Sequence, residues 1–235
     1  MKYAFTLVEL IIVLIIVAIL AISVSPLFKR DTLIPATNQV LDHIRYTQQL
    51  ALNQDMFIPS SDFSIFQNSA QKTKDSSQWF KKWWQIQFHK NHSYTVYSDH
   101  PTGSTNNYEY DADADNSDEV ARDPQTGLYI YKKGSSSSDY TDFERLTLVD
   151  LAEQYDVNVS MQGCGNSRHI LFDGLGRPHC SKSPNGLGDP SLYPYTNIRR
   201  ANYITVTLTN GNDRSLICIT PITGYAYISQ NQQCP

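Results

Sequence analysis

The sequence predicts an α+β fold, in which a long amino-terminal α-helix packs on a carboxy-terminal antiparallel β-rich globular domain. Three observations carry that expectation. The first is an uncharged stretch from Leu10 to Phe28, broken in its apolar character only by Ser23, Ser25 and Pro26. The second is the recurrence of Leu33, Val40, Leu41, Ile44, Ala51 and Leu52 at spacings that fall on one helical face. The third is a change of period beyond residue 57, where apolar residues alternate in a Tyr-, Ser-, Asn- and Thr-rich sequence punctuated by Gly and Pro. A chain of 235 residues holds one domain with an appendage more comfortably than two full domains. Its net charge of −4 gives no protein-wide field to attract nucleic acid or anionic lipid.

The apolar stretch comes first in the chain. At 1.5 Å rise per residue, about 20 residues cross the roughly 30 Å hydrocarbon core of a bilayer, so the run from Leu10 to Phe28 is long enough to span one. A secretory signal peptide would have a shorter apolar region and a small-residue cleavage site after it, and neither is present here. Lys2 on the short side orients the segment with its amino terminus inside and the bulk of the chain outside. Lys29 and Arg30 then form a basic stop. The periodicity that follows extends the helix to about Asn53, with a bend near Pro26 or Pro35. A rod of about 48 residues would reach on the order of 70 Å.

Strands come next. WQIQFH places Trp84, Ile86 and Phe88 on one face, YTVYS does the same with Tyr94 and Val96, and GLYIYK with Leu128 and Ile130, each a half-buried strand. Leu146 to Met161 combines a helical turn with a strand. RHILFDGLGRP, ANYITVTLTNG and RSLICITPITGYAYIS read as strands joined by Gly-containing turns. The polar stretches 67–78, 99–126 and 134–142 are expected to be loops within one domain.

One residue in the apolar segment needs its own account. A carboxylate within a membrane helix costs on the order of 2.5 to 3.5 kcal/mol, and such groups usually have a partner or a function. Glu9 has no Lys or Arg within a turn or two on its carboxy-terminal side, so its cation is expected from elsewhere; the competing reading keeps it hydrated at the interface. The order Phe5, Thr6, Leu7, Val8, Glu9 followed by an aliphatic run resembles the amino terminus of type IV pilins and type II secretion pseudopilins. That resemblance implies cleavage by a prepilin peptidase between Ala4 and Phe5 and methylation of the new Phe5 amine. It also implies pairing of that amine with Glu9 of a neighbouring subunit. An α-amino group is mostly protonated at pH 7, and a buried pair offsets desolvation costs that either charge would bear alone. Ala4 departs from the family's usual Gly, which predicts slower cleavage.

The resemblance divides the chain into a leader at 1–4, a membrane and assembly helix at 5–28, a periplasmic half of the helix at 29–55 and a β-rich globular domain at 56–235. Asn38 to Gln54 and the order ILFDGLGRP, ITVTLTNG, GYAYI further resemble the H-type, FimT-like minor pseudopilins. The implied protein is a structural subunit that sits in the inner membrane and then joins a periplasmic filament with other pilin or pseudopilin subunits. Its service is type II protein secretion, or alternatively pilus biogenesis, adhesion or DNA uptake as a minor type IV pilus subunit.

Cys164, Cys180, Cys218 and Cys234 all lie in the last third of the chain, an even count that suits disulfides beyond a membrane anchor. Of three connectivities, Cys164 with Cys180 and Cys218 with Cys234 close the short loops, each worth about 3 kcal/mol of loop-closure entropy. A zinc site from Cys164, Cys180 and His179 is the rival, without the usual C-x2-C spacing.

Other chemistry is sparse. DADADNSDE offers Asp111, Asp113 and Asp115 as oxygen ligands for Ca2+, although the EF-hand pattern fails at Asn116 and Arg122 and a solvated acidic loop explains the same residues. No cofactor is required. WFKKWW, Trp79 to Trp84, interleaves lysines with aromatics as single-stranded nucleic-acid sites do, but an acidic chain with two lysines here is not expected to take nucleic acid. The six histidines form no H-E-x-x-H, and there is no G-x-S-x-G, P-loop or G-x-G-x-x-G, so no enzyme is expected.

Overall fold

A computed structural model describes residues 6–24, 31–53, 83–98, 114, 117–132, 144–180 and 202–235, with the side chains of 20–24 excepted. The chain divides into two units, Met1–Asp31 and Thr32–Pro235.

The first unit is helix α1, Leu7–Val24. Its described side chains from Leu7 to Ile19 are exposed on every side of the helix, with Leu7 at 74% and even Ile11 at 46%. Such a surface is suited to a partner or to lipid and has no stable place in water. Among the described residues, no helix is long and apolar enough to cross a membrane.

The second unit begins with helix α2, Leu33–Asn53. The helix does not run on unbroken from α1, because residues 31–32 are not helical. Pro26 lies outside the described residues, and Pro35 sits in the first turn of α2, where its missing N–H would have had no intrahelical partner. The Thr32 carbonyl accepts the first helical bond from the Ala36 N–H at 3.2 Å. Leu33, Val40, Leu41, Ile44 and Ala51 of the expected stripe are buried, joined by Ala36, Thr37, His43 and Thr47, whereas Leu52, also expected on that face, is 53% exposed in the last turn. Fully burying a side chain such as Val40 or Ile44 contributes about 1.5–3 kcal/mol.

Among the described residues eight strands follow: β1 Trp84–Phe88, β2 Tyr94–Ser98, β3 Asn158–Gln162, β4 His169–Phe172, β5 Pro178–Cys180, β6 Ile204–Asn210, β7 Asp213–Ile219 and β8 Ala226–Ile228. They form two four-stranded sheets, ordered β2-β1-β4-β5 and β3-β6-β7-β8, in which every pairing is antiparallel. Helix α2 packs against β1 and β4 of one sheet and β6, β7 and β8 of the other. Ile86, Val96 and Ile170 from the first sheet and Ile204, Val206, Leu208 and Ile217 from the second share one core with Val40 and Ile44. The fold is therefore α+β, an amino-terminal helix followed by an antiparallel β-sheet domain, as the sequence predicts. A short helix α3, Leu151–Tyr155, precedes β3, and Asp150 caps it by accepting from the Glu153 N–H.

Turns follow local chemistry. The β6–β7 hairpin reverses at Gly211 and Asn212, with Gly211 at φ +58° in the first central position, where primed hairpin turns need glycine. Gly224 is fixed by crowding as well as by its φ of +68°, because a Cβ there would meet the Gly176 carbonyl and the Gln48 amide.

Two expectations need correction. GLYIYK forms no strand: Tyr129 makes isolated bridges to Arg122 and Arg145, while Ile130 is buried and exchanges backbone bonds with Val96 and Ala121. The first sheet is also not half-buried, since Gln85, Thr95, Tyr97, His169, Leu171 and His179 on its other face are buried as well as its core face. Alternation in WQIQFH and YTVYS reports side-chain polarity, and polar side chains can be buried when they bond one another.

Candidate functional site

The amino terminus of α1 carries the most specific arrangement in the chain. Thr6 precedes the helix, and its carbonyl accepts the first intrahelical bond from the Leu10 N–H at 3.2 Å. The Thr6 hydroxyl accepts from the Glu9 N–H at 3.3 Å and donates to Glu9 Oε2 at 3.0 Å, while the Thr6 N–H donates to the same Oε2 at 2.9 Å. This is a capping box: residue and third successor satisfy each other's orphan donors. The carboxylate also lies at the positive end of the helix dipole.

Glu9 therefore has partners within its own chain, which sequence reasoning missed while searching for a cation. The signal was legible, since Thr6-Leu7-Val8-Glu9 is the T-x-x-E pattern that opens a capped helix. Both donors converge on Oε2, and Glu9 Oε1 takes no donor among the described residues. The arrangement holds the carboxylate in one orientation at the helix start. Ala4 and Phe5, the expected cleavage pair, lie outside the described residues.

The cysteines pair as Cys164 with Cys180 and Cys218 with Cys234. The first bond joins the turn after β3 to β5 and so ties one sheet to the other, with Cα atoms 5.3 Å apart. The second ties the carboxy-terminal tail to β7, with Cα atoms 5.7 Å apart. Bonded sulfurs offer no thiolate, which removes the zinc alternative. His179 is buried and engaged elsewhere: its Nε2 lies 3.1 Å from Asp173 Oδ2, and its ring meets the Trp83 ring edge-on at 4.4 Å.

Asp173 organises the β4–β5 turn. Its carboxylate accepts from the Leu175 and Arg177 N–H groups at 3.0 and 2.9 Å and from Arg177 Nε at 2.6 Å, in addition to His179. Burial alone would raise its pKa, but these donors outweigh it and hold the carboxyl at about 2. The result is a structural fastener that also presents Arg177.

The remaining candidates do not form a site among the described residues. Asp111, Asp113 and Asp115 lie outside them, and within them no three His, Cys, Asp or Glu side chains are placed to hold a metal ion. Trp79 to Lys82 of the aromatic and basic stretch also lie outside, while Trp84 is buried at the start of β1. His89 and His92 do not converge, since His89 Nε2 meets Thr95 Oγ1 at 2.9 Å and His92 Nδ1 meets the Val159 backbone at 3.2 Å.

Comparison with known proteins gives a match at this end of the chain. Residues 1–25 match the family model of the prokaryotic N-terminal methylation motif. No curated protein and no solved structure matches the chain. The chain thus carries a type IV pilin-like prepilin signal, whose bearers are structural subunits, processed by a prepilin peptidase and assembled with other pilin subunits.

Proposed function

We propose that this chain is a minor pseudopilin of the H-type, FimT-like kind, cleaved between Ala4 and Phe5 and assembled into a periplasmic filament for type II protein secretion. The observation that carries the proposal is the methylation motif over residues 1–25, which contains the capped apolar helix α1 and precedes an antiparallel domain stapled by two disulfides. In this reading the segment 5–28 is a single-pass inner-membrane anchor with its amino terminus in the cytoplasm and residues 56–235 in the periplasm. The disulfides support an oxidising compartment for that domain.

The capping box refines the assembly step. Thr6 holds Glu9 by one carboxylate oxygen, so the other is free to meet the methylated Phe5 amine of a neighbour without uncapping the helix. Charge-assisted contact of this kind is roughly twice as strong as a neutral hydrogen bond, and burial among packed helices strengthens it further. The same physics serves a minor type IV pilus subunit, and the machine is distinguished by whether deletion of the chain impairs protein secretion or piliation.

Mass spectrometry of the protein recovered from membranes tests the processing: a chain that starts at N-methylated Phe5 is expected, and an intact Met1 overturns it. For assembly, Glu9→Ala is expected to insert normally into membranes yet fail to enter filaments. Normal incorporation of that variant would sink the paired-charge account.

A further inference from the structure

A chain of hydrogen bonds, buried at His43 and Tyr94 and partly exposed at Gln39, crosses the seat of α2 on the β-domain, and its proton positions can be deduced. Gln39 Nε2 lies 2.9 Å from the Leu148 carbonyl, which can only accept, so the amide nitrogen faces that way. The same nitrogen donates to the Tyr94 hydroxyl at 2.7 Å, and Gln39 Oε1 accepts from the Tyr155 hydroxyl at 2.7 Å. Tyr94 must then use its single proton on His43 Nδ1, 2.6 Å away. That makes Nδ1 an acceptor and puts the imidazole proton on Nε2, which faces Asp123 Oδ1 at 3.5 Å. Asp123 Oδ2 is occupied by the Thr126 N–H and hydroxyl at 2.9 and 2.6 Å.

We propose that the Asp123–His43–Tyr94–Gln39 relay is an acid-released latch that holds α2 on the β-domain. A proton added to His43 arrives at Nδ1, where it opposes the proton of Tyr94. Tyr94 then has no acceptor for its proton among the described residues, because Gln39 already donates to it. The imidazolium keeps one partner, Asp123 Oδ1, on the side away from β2. Protonation thus moves the grip of His43 from β2 to the 117–132 segment and leaves a buried hydroxyl proton unpaired, which is costly in an apolar interior.

The surrounding groups leave His43 as the responsive one. Tyr94 on β2 faces it directly, Tyr155 on α3 reaches it through Gln39, Asp123 faces it from the 117–132 segment, and Asp42 and Tyr46 accompany it on α2. Burial raises the pKa of Tyr94, Tyr46 and Tyr155, so all three stay protonated. Burial opposes ionisation of Asp123, yet its bonds to Thr126 and the nearby His43 hold it below the usual carboxylate range. Burial likewise lowers His43 below the ordinary histidine value, against the pull of Asp123 and Asp42, so the neutral latched form prevails at neutral pH. This inference goes beyond the assembly reading and does not depend on it.

Amide hydrogen exchange of the full chain in detergent micelles tests the latch between pH 7.5 and 5.0, with rates corrected for intrinsic pH dependence. Opening of α2 from Gln39 to Thr47 is expected to rise by up to about tenfold for each pH unit below about 6.5, the limit for uptake of one proton. His43→Gln should flatten that rise while β6 and β7 amides behave as in the parent. An unchanged α2 in the parent, or an equal rise in the variant, overturns the proposal. Should the variant not fold, imidazole 15N shifts of the parent decide the question. The Nε2–H tautomer at pH 7.5, converting to imidazolium as α2 loses protection, supports the latch. An Nδ1–H tautomer, or titration without loss of protection, refutes it.

Discussion

A hydroxyl that both donates to and accepts from one residue leaves that residue little freedom. Thr6 does this with Glu9 at the head of α1, and Thr6 is therefore a positioning residue for the carboxylate. Loss of such a cap costs about 1 kcal/mol, or roughly fivefold in local opening. Thr6→Ala is accordingly expected to speed amide exchange over residues 7–10 by about that factor in micelles, and Thr6→Ser to restore it. Equal protection in the Ala variant would show that the helix start is held by lipid or neighbours instead. The T-x-x-E pattern is visible in the sequence, and it supplies Glu9 with two neutral donors one turn away whether or not a cation joins them.

The two disulfides differ as elements although their loops are the same length, 16 residues in sequence separation. By loop-closure entropy alone each contributes about 3 kcal/mol. Their placement separates them. Cys164–Cys180 joins β5 of the first sheet to the turn after β3 of the second, so replacing both cysteines with Ala should lower the urea midpoint of the whole β-domain. Removing Cys218–Cys234 should instead release residues 229–235 first, seen as early proteolysis of the tail before any shift in the global midpoint. Identical behaviour of the two variants would contradict that division. Loop length could be read from cysteine spacing, but which sheets the cysteines join depends on strand order, which no local pattern encodes.

At the scale of the whole molecule, buried histidines make the domain acid-sensitive. Burial, with Arg168 nearby, pushes His89 down to about 4, and burial with His89 and Arg168 does the same to His169. Both pKa values lie below the unfolded value near 6.5, so the unfolded chain binds more protons throughout that interval and stability rises with pH across it. Their share is complete above about 6.5 and is lost as pH falls toward about 4. Urea midpoints measured at pH 7 and pH 5 should therefore fall with acid. His169→Gln should reduce the slope, because Gln85 still has a polar partner while the titrating group is gone. A midpoint independent of pH would rule this out.

How much of this could be read in advance follows from the range of each interaction. Helix α2 covers Leu33–Asn53 and buries the expected stripe except Leu52 because helical periodicity is local, and the hairpins formed where Gly and alternation said they would. The expected strand at GLYIYK failed because bridging geometry there is set by Val96, Ala121 and Arg145, residues distant in sequence. By itself the sequence determined the methylation motif, the capped apolar helix and the α+β class, all of which rest on contacts within a few turns or on composition, while of three possible cysteine connectivities the structure selected the two short loops. Only the tertiary structure decided that polar faces of the first sheet are buried, that one disulfide spans both sheets, and that His43 lies between Tyr94 and Asp123. Those outcomes depend on which distant side chains share a buried volume, and there hydrogen-bond satisfaction, more than hydrophobic pattern, selects the arrangement.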